Sequence, residues 1–174
     1  MRRDDLAKAI RNKSKLTGHF VLRSGKTSDT YFDKYLFESD PAVLRAIAQH
    51  MSALVPDAIE ILCGLEMGGL PVVTMLSQVT GLPCAFLRKA PKTYGTMKYI
   101  EGPELTGRRI ALVEDVVSSG GAIQDQARQL RVDGIDVNIA ICVIDRQTGG
   151  REALARDGIR LLSLFTMAEI DGAL

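Results

Sequence analysis

The stretch Ile110-Ala-Leu-Val-Glu-Asp-Val-Val-Ser-Ser-Gly-Gly-Ala122 decides how the rest of the chain is read. Its first four residues, Ile110–Val113, form an apolar run that predicts a buried strand. The run ends in two adjacent carboxylates, Glu114 and Asp115. Val116 and Val117 follow, then the hydroxyls of Ser118 and Ser119, then Gly120-Gly121 and Ala122 at the start of a helix predicted to reach Leu130. Glycines let backbone N–H groups close on an anion with no Cβ in the way. A helix N-terminus adds partial positive charge, and both serines can donate to the same anionic oxygens. The loop therefore reads as a phosphate cradle. The two acids would repel a phosphate, so they must face something else. Paired acceptors beside such a nest suit the vicinal diol of a sugar phosphate. Two commoner phosphate motifs, GxGxxG and GxxxxGK followed by Ser or Thr, are absent.

Outward from this strand, short apolar runs alternate with helical periodicity. Upstream, Ile59–Cys63 predicts a strand, Gly64, Gly68 and Gly69 punctuate, Leu70–Val79 predicts a helix and Cys84–Leu87 a second strand. Downstream come a strand over Val137–Ile144, a helix over Arg151–Arg156 and a strand over Leu161–Phe165. Asp40-Pro41 reads as a helix cap with a first-turn proline, followed by Val43, Leu44, Ile47, Ala48, Met51 and Leu54 at helical spacing. Near the N-terminus, Asp4 to about Lys15 predicts an amphipathic helix with Leu6, Ala9 and Ile10 inward. His19–Tyr35 predicts a hairpin: Phe20-Val21-Leu22, a turn at Ser24-Gly25-Lys26, then alternating Tyr31, Asp33 and Tyr35. Such alternation calls for an α/β fold with a mostly parallel sheet covered on both faces. Ligands of such sheets bind beyond the carboxyl ends of the strands.

Composition sets outer limits. The chain has 174 residues, 46% of them hydrophobic and 25% charged, as expected of one soluble globular domain over 1–174. A net charge of +1 offers no whole-molecule field for nucleic acid or an anionic membrane. Cys63, Cys84 and Cys142 sit in apolar runs without metal-ligand spacing, and they read as reduced, buried thiols. The first twenty residues carry Arg2, Arg3, Lys8, Arg11, Lys13 and Lys15 and no continuous apolar segment. A cytoplasmic protein without signal peptide or membrane span is expected.

A second informative segment leaves the Cys84–Leu87 strand: Arg88-Lys89-Ala-Pro-Lys92-Thr-Tyr94-Gly95-Thr-Met-Lys98-Tyr-Ile-Glu101-Gly102. Four cations precede the first acid, Glu101, and Pro91 and Gly95 interrupt the segment. It reads as a cationic flap, able to neutralise a leaving diphosphate and to exclude water when closed. A nucleic-acid patch is a poorer reading, because aromatic interleaving is limited to Tyr94 and Tyr99.

The Glu114–Ala122 stretch resembles the phosphoribosyl diphosphate signature of the type I phosphoribosyltransferases. Phe20-Val-Leu-Arg-Ser-Gly-Lys with Tyr31-Phe-Asp33 resembles the hood of their orotate phosphoribosyltransferase branch, Arg88–Gly102 its catalytic flap, and Asp145-Arg146 its orotate-carboxylate site. The resemblance runs from about residue 18 to residue 165. It implies a type I phosphoribosyltransferase fold with a small hood built mainly from about 1–37. It implies transfer of the phosphoribosyl group to orotate, with bound Mg²⁺ brought by the substrate rather than by direct side-chain ligation. It also implies a homodimer whose flap reaches the neighbouring site.

Carried over residue by residue, Lys92, Asp115 and Arg88 are the catalytic candidates. Arg88, Lys89, Lys92, Tyr94, Glu114, Asp115, Val116, Val117, Ser118, Ser119, Gly120, Gly121 and Ala122 are candidates for phosphoribosyl diphosphate, and Ser118 and Arg146 for orotate. Three positions depart from many members of the branch. Tyr94 stands where histidine is common, Arg23 where several carry lysine, and Met67 where many carry lysine. The Met67 change leaves diphosphate contacts in that loop to the backbone N–H groups of Met67, Gly68 and Gly69.

Two rivals remain at this stage. One is the same fold with a purine or uracil acceptor, which would not require Arg146. The other is a regulator that senses phosphoribosyl diphosphate and binds nucleic acid, which would need a basic face or an added DNA-binding segment.

Overall fold

The computed structural model describes residues 1–21, 25–90 and 99–173. Its centre is a six-stranded sheet: β3 (Ile61–Leu65), β4 (Cys84–Leu87), β5 (Ile100–Glu101), β6 (Ile110–Val117), β7 (Ile139–Asp145) and β8 (Arg160–Thr166). Their order is β5-β4-β3-β6-β7-β8, and every pairing is parallel except that of β4 with β5. The chain thus steps outward from β3 to β4, then returns to lay β6 on the other side of β3. That reversal is a topological switch point, and the loops leaving β3 and β6 open there side by side.

Successive side chains on a strand face opposite ways, and the core divides accordingly. Leu62, Ala111, Val113, Ile141 and Val143 pack on one face under α1 (Arg3–Ser14), α3 (Pro41–Met51), α4 (Gly69–Thr80) and α7 (Met167–Gly172). Ile61, Cys63, Leu112, Ala140 and Cys142 pack on the other, under α5 (Gly121–Val132) and α6 (Gly150–Arg156). The caps are as expected locally. Asp40 accepts from Ala42 N and Val43 N at 2.9 Å each, with Pro41 at the first helical position. Leu6 and Ile10 of α1 are fully buried in the first cluster, each contributing roughly 1.5–3 kcal/mol of apolar burial.

Four expectations about boundaries are corrected. The hairpin begins at Lys15 rather than His19, because β1 (Lys15–Val21) follows directly on α1 and pairs with β2 (Thr27–Phe32). Its second strand stops at Phe32 and does not continue to Tyr35. The Asp33 side chain accepts from Tyr35 N at 3.1 Å and caps a short helix, α2 (Lys34–Glu38). Strand β6 extends past Val113 to Val117, carrying Glu114 and Asp115 within its paired length rather than beyond it. The far end of the flap, Ile100–Glu101, is a short edge strand against β4. Leu22, Arg23, Ser24, Lys92, Tyr94, Gly95 and Lys98 lie outside the described residues.

Candidate active site

The cradle forms where β6 gives way to α5. Ser118 and Ser119 are exposed, Gly120 is buried, and Gly121 opens α5. Ser119 Oγ accepts weakly from Gly121 N at 3.5 Å, so both hydroxyls remain available to an incoming anion. Behind the cradle runs the N-terminus of α6. A Cβ on Gly150 would collide with the Ser118 carbonyl oxygen, which is how closely the two loops are packed.

The two acids sit deeper than sequence suggested. Glu114 is 8% exposed and Asp115 is 0% exposed. Asp115 N donates to Glu114 Oε1 at 3.0 Å, and Val116 N donates to Asp115 Oδ1 at 2.5 Å. Asp115 Oδ2 meets Lys34 Nζ at 2.6 Å. One turn on, Glu38 of the same short helix is also buried, and neither of its carboxyl oxygens has a hydrogen-bond partner among the described residues.

Three carboxyl groups around one ammonium cannot all ionise. Burial, and then the nearness and charge of Asp115, push Glu38 up to about 9. Burial together with Asp115 also pushes Glu114 well above the usual carboxylate range. Burial opposes the Asp115 charge, but the nearness of Glu114, Glu38 and Lys34 outweighs it and holds Asp115 below its ordinary value. Lys34 is raised despite burial, because Asp115 stabilises its charge. Asp115 therefore holds its charge more readily than either neighbouring acid.

The loop leaving β3 closes the site from the other side of the switch point. A Cβ on Gly68 would overlap the Asp115 carboxylate at Oδ2, so any side chain there has to displace the acid or the loop. Met67 is exposed and Glu66 Oε2 accepts from Lys89 N at 3.0 Å. Arg88 is half-buried, and its Nε finds no hydrogen-bond partner among the described residues. Gln126 of α5 donates to the Arg88 carbonyl at 2.9 Å and ties the base of the flap to the cradle helix. Lys89 is exposed.

The loop after β7 lies beside the cradle. Arg146 N donates to the Val117 carbonyl at 2.8 Å, and the Arg146 side chain is exposed. Asp145 is buried and paired with Arg151, while Asp157 accepts from Gln124; neither acid takes Arg146. The loops after β3, β6 and β7 and the root of the flap after β4 thus gather Gly68, Arg88, Asp115, Ser118 and Arg146 at one end of the sheet. Sequence reading missed Lys34, Glu38, Glu66 and Arg151. The i,i+4 spacing of Lys34 and Glu38 was visible, but their partner Asp115 is far along the chain and only the folded hood brings them together.

This arrangement has known counterparts. Residues 37–159 match the phosphoribosyl transferase domain. The orotate phosphoribosyltransferase of a Nocardioides species is 47% identical over 168 residues, covering 97% of this chain and 94% of that protein. The crystal structure of Mycobacterium tuberculosis orotate phosphoribosyltransferase with Fe(III) dicitrate superposes with a TM-score of 0.87 at 30% identity, covering 97% of this chain and 98% of the other. The same enzyme in complex with 5-phospho-α-D-ribosyl 1-diphosphate superposes at 0.83, with 28% identity and the same coverage. The signature strand, the cradle and near full-length similarity lead to one conclusion: this chain belongs to the phosphoribosyl transferase family, on its orotate phosphoribosyltransferase branch.

Proposed function

We propose that the site described above transfers the phosphoribosyl group from phosphoribosyl diphosphate to orotate, giving orotidine 5′-phosphate and pyrophosphate, in the de novo synthesis of UMP. One observation carries the division of labour. Asp115, paired with Lys34 at 2.6 Å, stands near the end of a strand that runs directly into an open Ser-Ser-Gly-Gly loop.

In this reading the segment from Val116 to Ala122 holds the 5′-phosphate and Asp115, with Glu114 beside it, orients the ribose hydroxyls. The anomeric carbon then faces the space between the β3 and β7 loops. Arg88, Lys89 and Lys92 stabilise charge on the departing diphosphate, with Tyr94 a further contact. Orotate is already an anion and needs little activation. Arg146 offers its exposed guanidinium to the orotate carboxylate, a planar match for two parallel bonds, and Ser118 helps to place the ring.

Mg²⁺ fits the donor chemistry as a companion of the substrate. Glu114 and Asp115 are hard oxygen donors, yet no group of three His, Cys, Asp or Glu among the described residues could hold an ion unaided. When bound with the diphosphate, the ion neutralises part of its charge.

We further read the chain as a single domain with its hood in about 1–37, acting as a cytoplasmic homodimer whose flap serves the neighbouring site. Leu6 and Ile10 of the hood share a core cluster with the sheet, which supports the single domain. The three cysteines are free, and no helix of the described residues is long and apolar enough to cross a membrane. Nothing in the reading calls for nucleic acid or a membrane as partner.

The test is release of pyrophosphate from phosphoribosyl diphosphate with orotate, uracil, hypoxanthine or adenine as acceptor. Turnover with orotate alone is expected. Comparable turnover with a neutral base would overturn the assignment of Arg146 and of the substrate.

A further inference from the structure

The mouth of the site is crowded with acids: Glu38, Glu66, Glu114 and Asp115. A diphosphate would enter this crowd carrying more negative charge. The Glu66–Gly69 loop beside it contains no cation of its own. Lys34, from the short helix at the end of the hood, meets the acid against which that loop packs. Its Nζ lies 2.6 Å from Asp115 Oδ2. Gly68 is pressed against that same oxygen from the loop side, so the ammonium and the loop flank one atom.

The Lys34 side chain is 33% exposed, whereas that of Asp115 is 0% exposed. A group coming from solvent to Asp115 therefore meets the ammonium first. The two hydroxyls of a ribose are donors, as the ammonium is, and they compete for the same carboxylate. The lysine stem has four rotatable carbons and a compact head with three donors, so its release needs no backbone movement.

We infer that Lys34 is a substrate-binding residue: its ammonium leaves Asp115 when the ribose diol arrives there and pairs with a diphosphate oxygen above the Glu66–Gly69 loop. The inference rests on the reading of Asp115 as the diol acceptor. In the free protein the lysine neutralises the acid, and in the complex it neutralises the substrate. One cation serves both states, and the buried Asp115 is never left unpaired.

Two measurements test this. The first is calorimetric binding of phosphoribosyl diphosphate and of ribose 5-phosphate to wild type, Lys34→Met and Lys34→Arg. Lys34→Met is expected to weaken phosphoribosyl diphosphate about tenfold or more, the worth of one charge-assisted bond. Ribose 5-phosphate, which has the diol and the 5′-phosphate but no diphosphate, should change little, and Lys34→Arg should recover most of the loss. Equal weakening of both ligands would reduce Lys34 to a structural partner of Asp115, and no weakening of either would remove it from binding altogether.

The second measurement uses wild type only, so it stands even if Lys34→Met fails to fold. Acylation of Lys34, followed by mass spectrometry, should be faster with ribose 5-phosphate than in the free protein, and slow again with phosphoribosyl diphosphate. The same reactivity in all three states overturns the exchange. Neither measurement needs turnover. Failure of wild type to release pyrophosphate with orotate would sink the proposed reaction, while both arms would still decide the role of Lys34.

Discussion

Arg151 grips one oxygen of Asp145, its Nε and a terminal nitrogen each lying 3.0 Å from Oδ2. The other oxygen, Oδ1, accepts from Gln147 N at 2.9 Å, and Arg151 also reaches the Leu161 carbonyl and Ser163 Oγ. The buried Asp145 thereby fixes the turn that presents Arg146.

Two substitutions should separate these roles. Arg146→Ala should raise the KM for orotate by about tenfold with little change in that for phosphoribosyl diphosphate, since one charge-assisted contact is lost. Thermal unfolding should not move. Arg151→Ala should both raise the orotate KM and cost about 1–3 kcal/mol of stability, discounted because the guanidinium is half-exposed. Equal effects of Arg146→Ala on both substrates would return that residue to a structural role.

Gly68→Ala places a methyl group where the Asp115 carboxylate now lies. Either the loop or the acid must move. The expected result is a folded protein, destabilised by about 1–3 kcal/mol as for overpacking elsewhere, with turnover reduced by far more than its stability. Parallel thermal scans and kcat/KM measurements check this. Near-normal activity would show that Asp115 can be displaced without harm.

Stability should fall as pH rises through the neutral range, on account of Glu38. In the fold this carboxyl keeps its proton until about pH 9, whereas unfolded it releases it near its ordinary 4.5. Between those values the folded state holds the extra proton, so its contribution is complete below about 4.5 and is lost by about 9. Glu114 acts in the same sense. Asp115, lowered from 3.8, acts oppositely and only in acid, its contribution vanishing as pH falls below that range. Glu38→Gln mimics the protonated form and should flatten the decline. Denaturant titrations of both proteins at several pH values give the comparison, and parallel curves would rule out Glu38 as the source.

A shared active site can be tested by mixing Asp115→Asn with Lys92→Ala. Asp115→Asn alone should lose on the order of 10²-fold or more in turnover, because the diol loses its charged acceptor. Lys92→Ala should be similarly impaired. After dissociation and random reassembly about half the dimers are heterodimers. In each, the Lys92→Ala subunit keeps a sound cradle and receives a sound flap. Roughly one quarter of wild-type activity should return with complete exchange. No recovery after exchange is verified by tagged copurification would assign the flap to its own subunit.

Much of this architecture was legible in the chain itself. The central strands are buried on both faces, so they appear as unbroken apolar runs such as Ile61–Cys63 and Val113 with its predecessors. Ser118–Gly121 is legible as a tight strand-to-helix loop because its small residues are consecutive in sequence. The failures have separate causes. Tyr35 alternates like a strand residue, but the Asp33 cap turns the backbone into a helix before it. The placement of Lys34 and Glu38 against Asp115 depends on the hood folding over the sheet, and nothing within either segment encodes the distance between them. Glu114 and Asp115 read as the residues at which the strand ends, because a charge is normally solvated. Their burial goes with an ion pair from Lys34 to Asp115 and with a raised proton affinity at Glu114.

The close approach of Gly150 to Ser118 has a consequence for how this site can vary over time. The floor of the proposed phosphate loop is the backbone at Gly150, in the segment that follows Arg146. A bulkier residue at position 150 would push the serines outward, and a reshaped serine loop would need new ground beneath it. Drift toward another acceptor base, achieved by rebuilding the 146–150 turn, would therefore disturb the grip on the sugar phosphate at the same stroke. Change in one loop has to arrive together with change in the other, and most single steps between specificities should be dead ends.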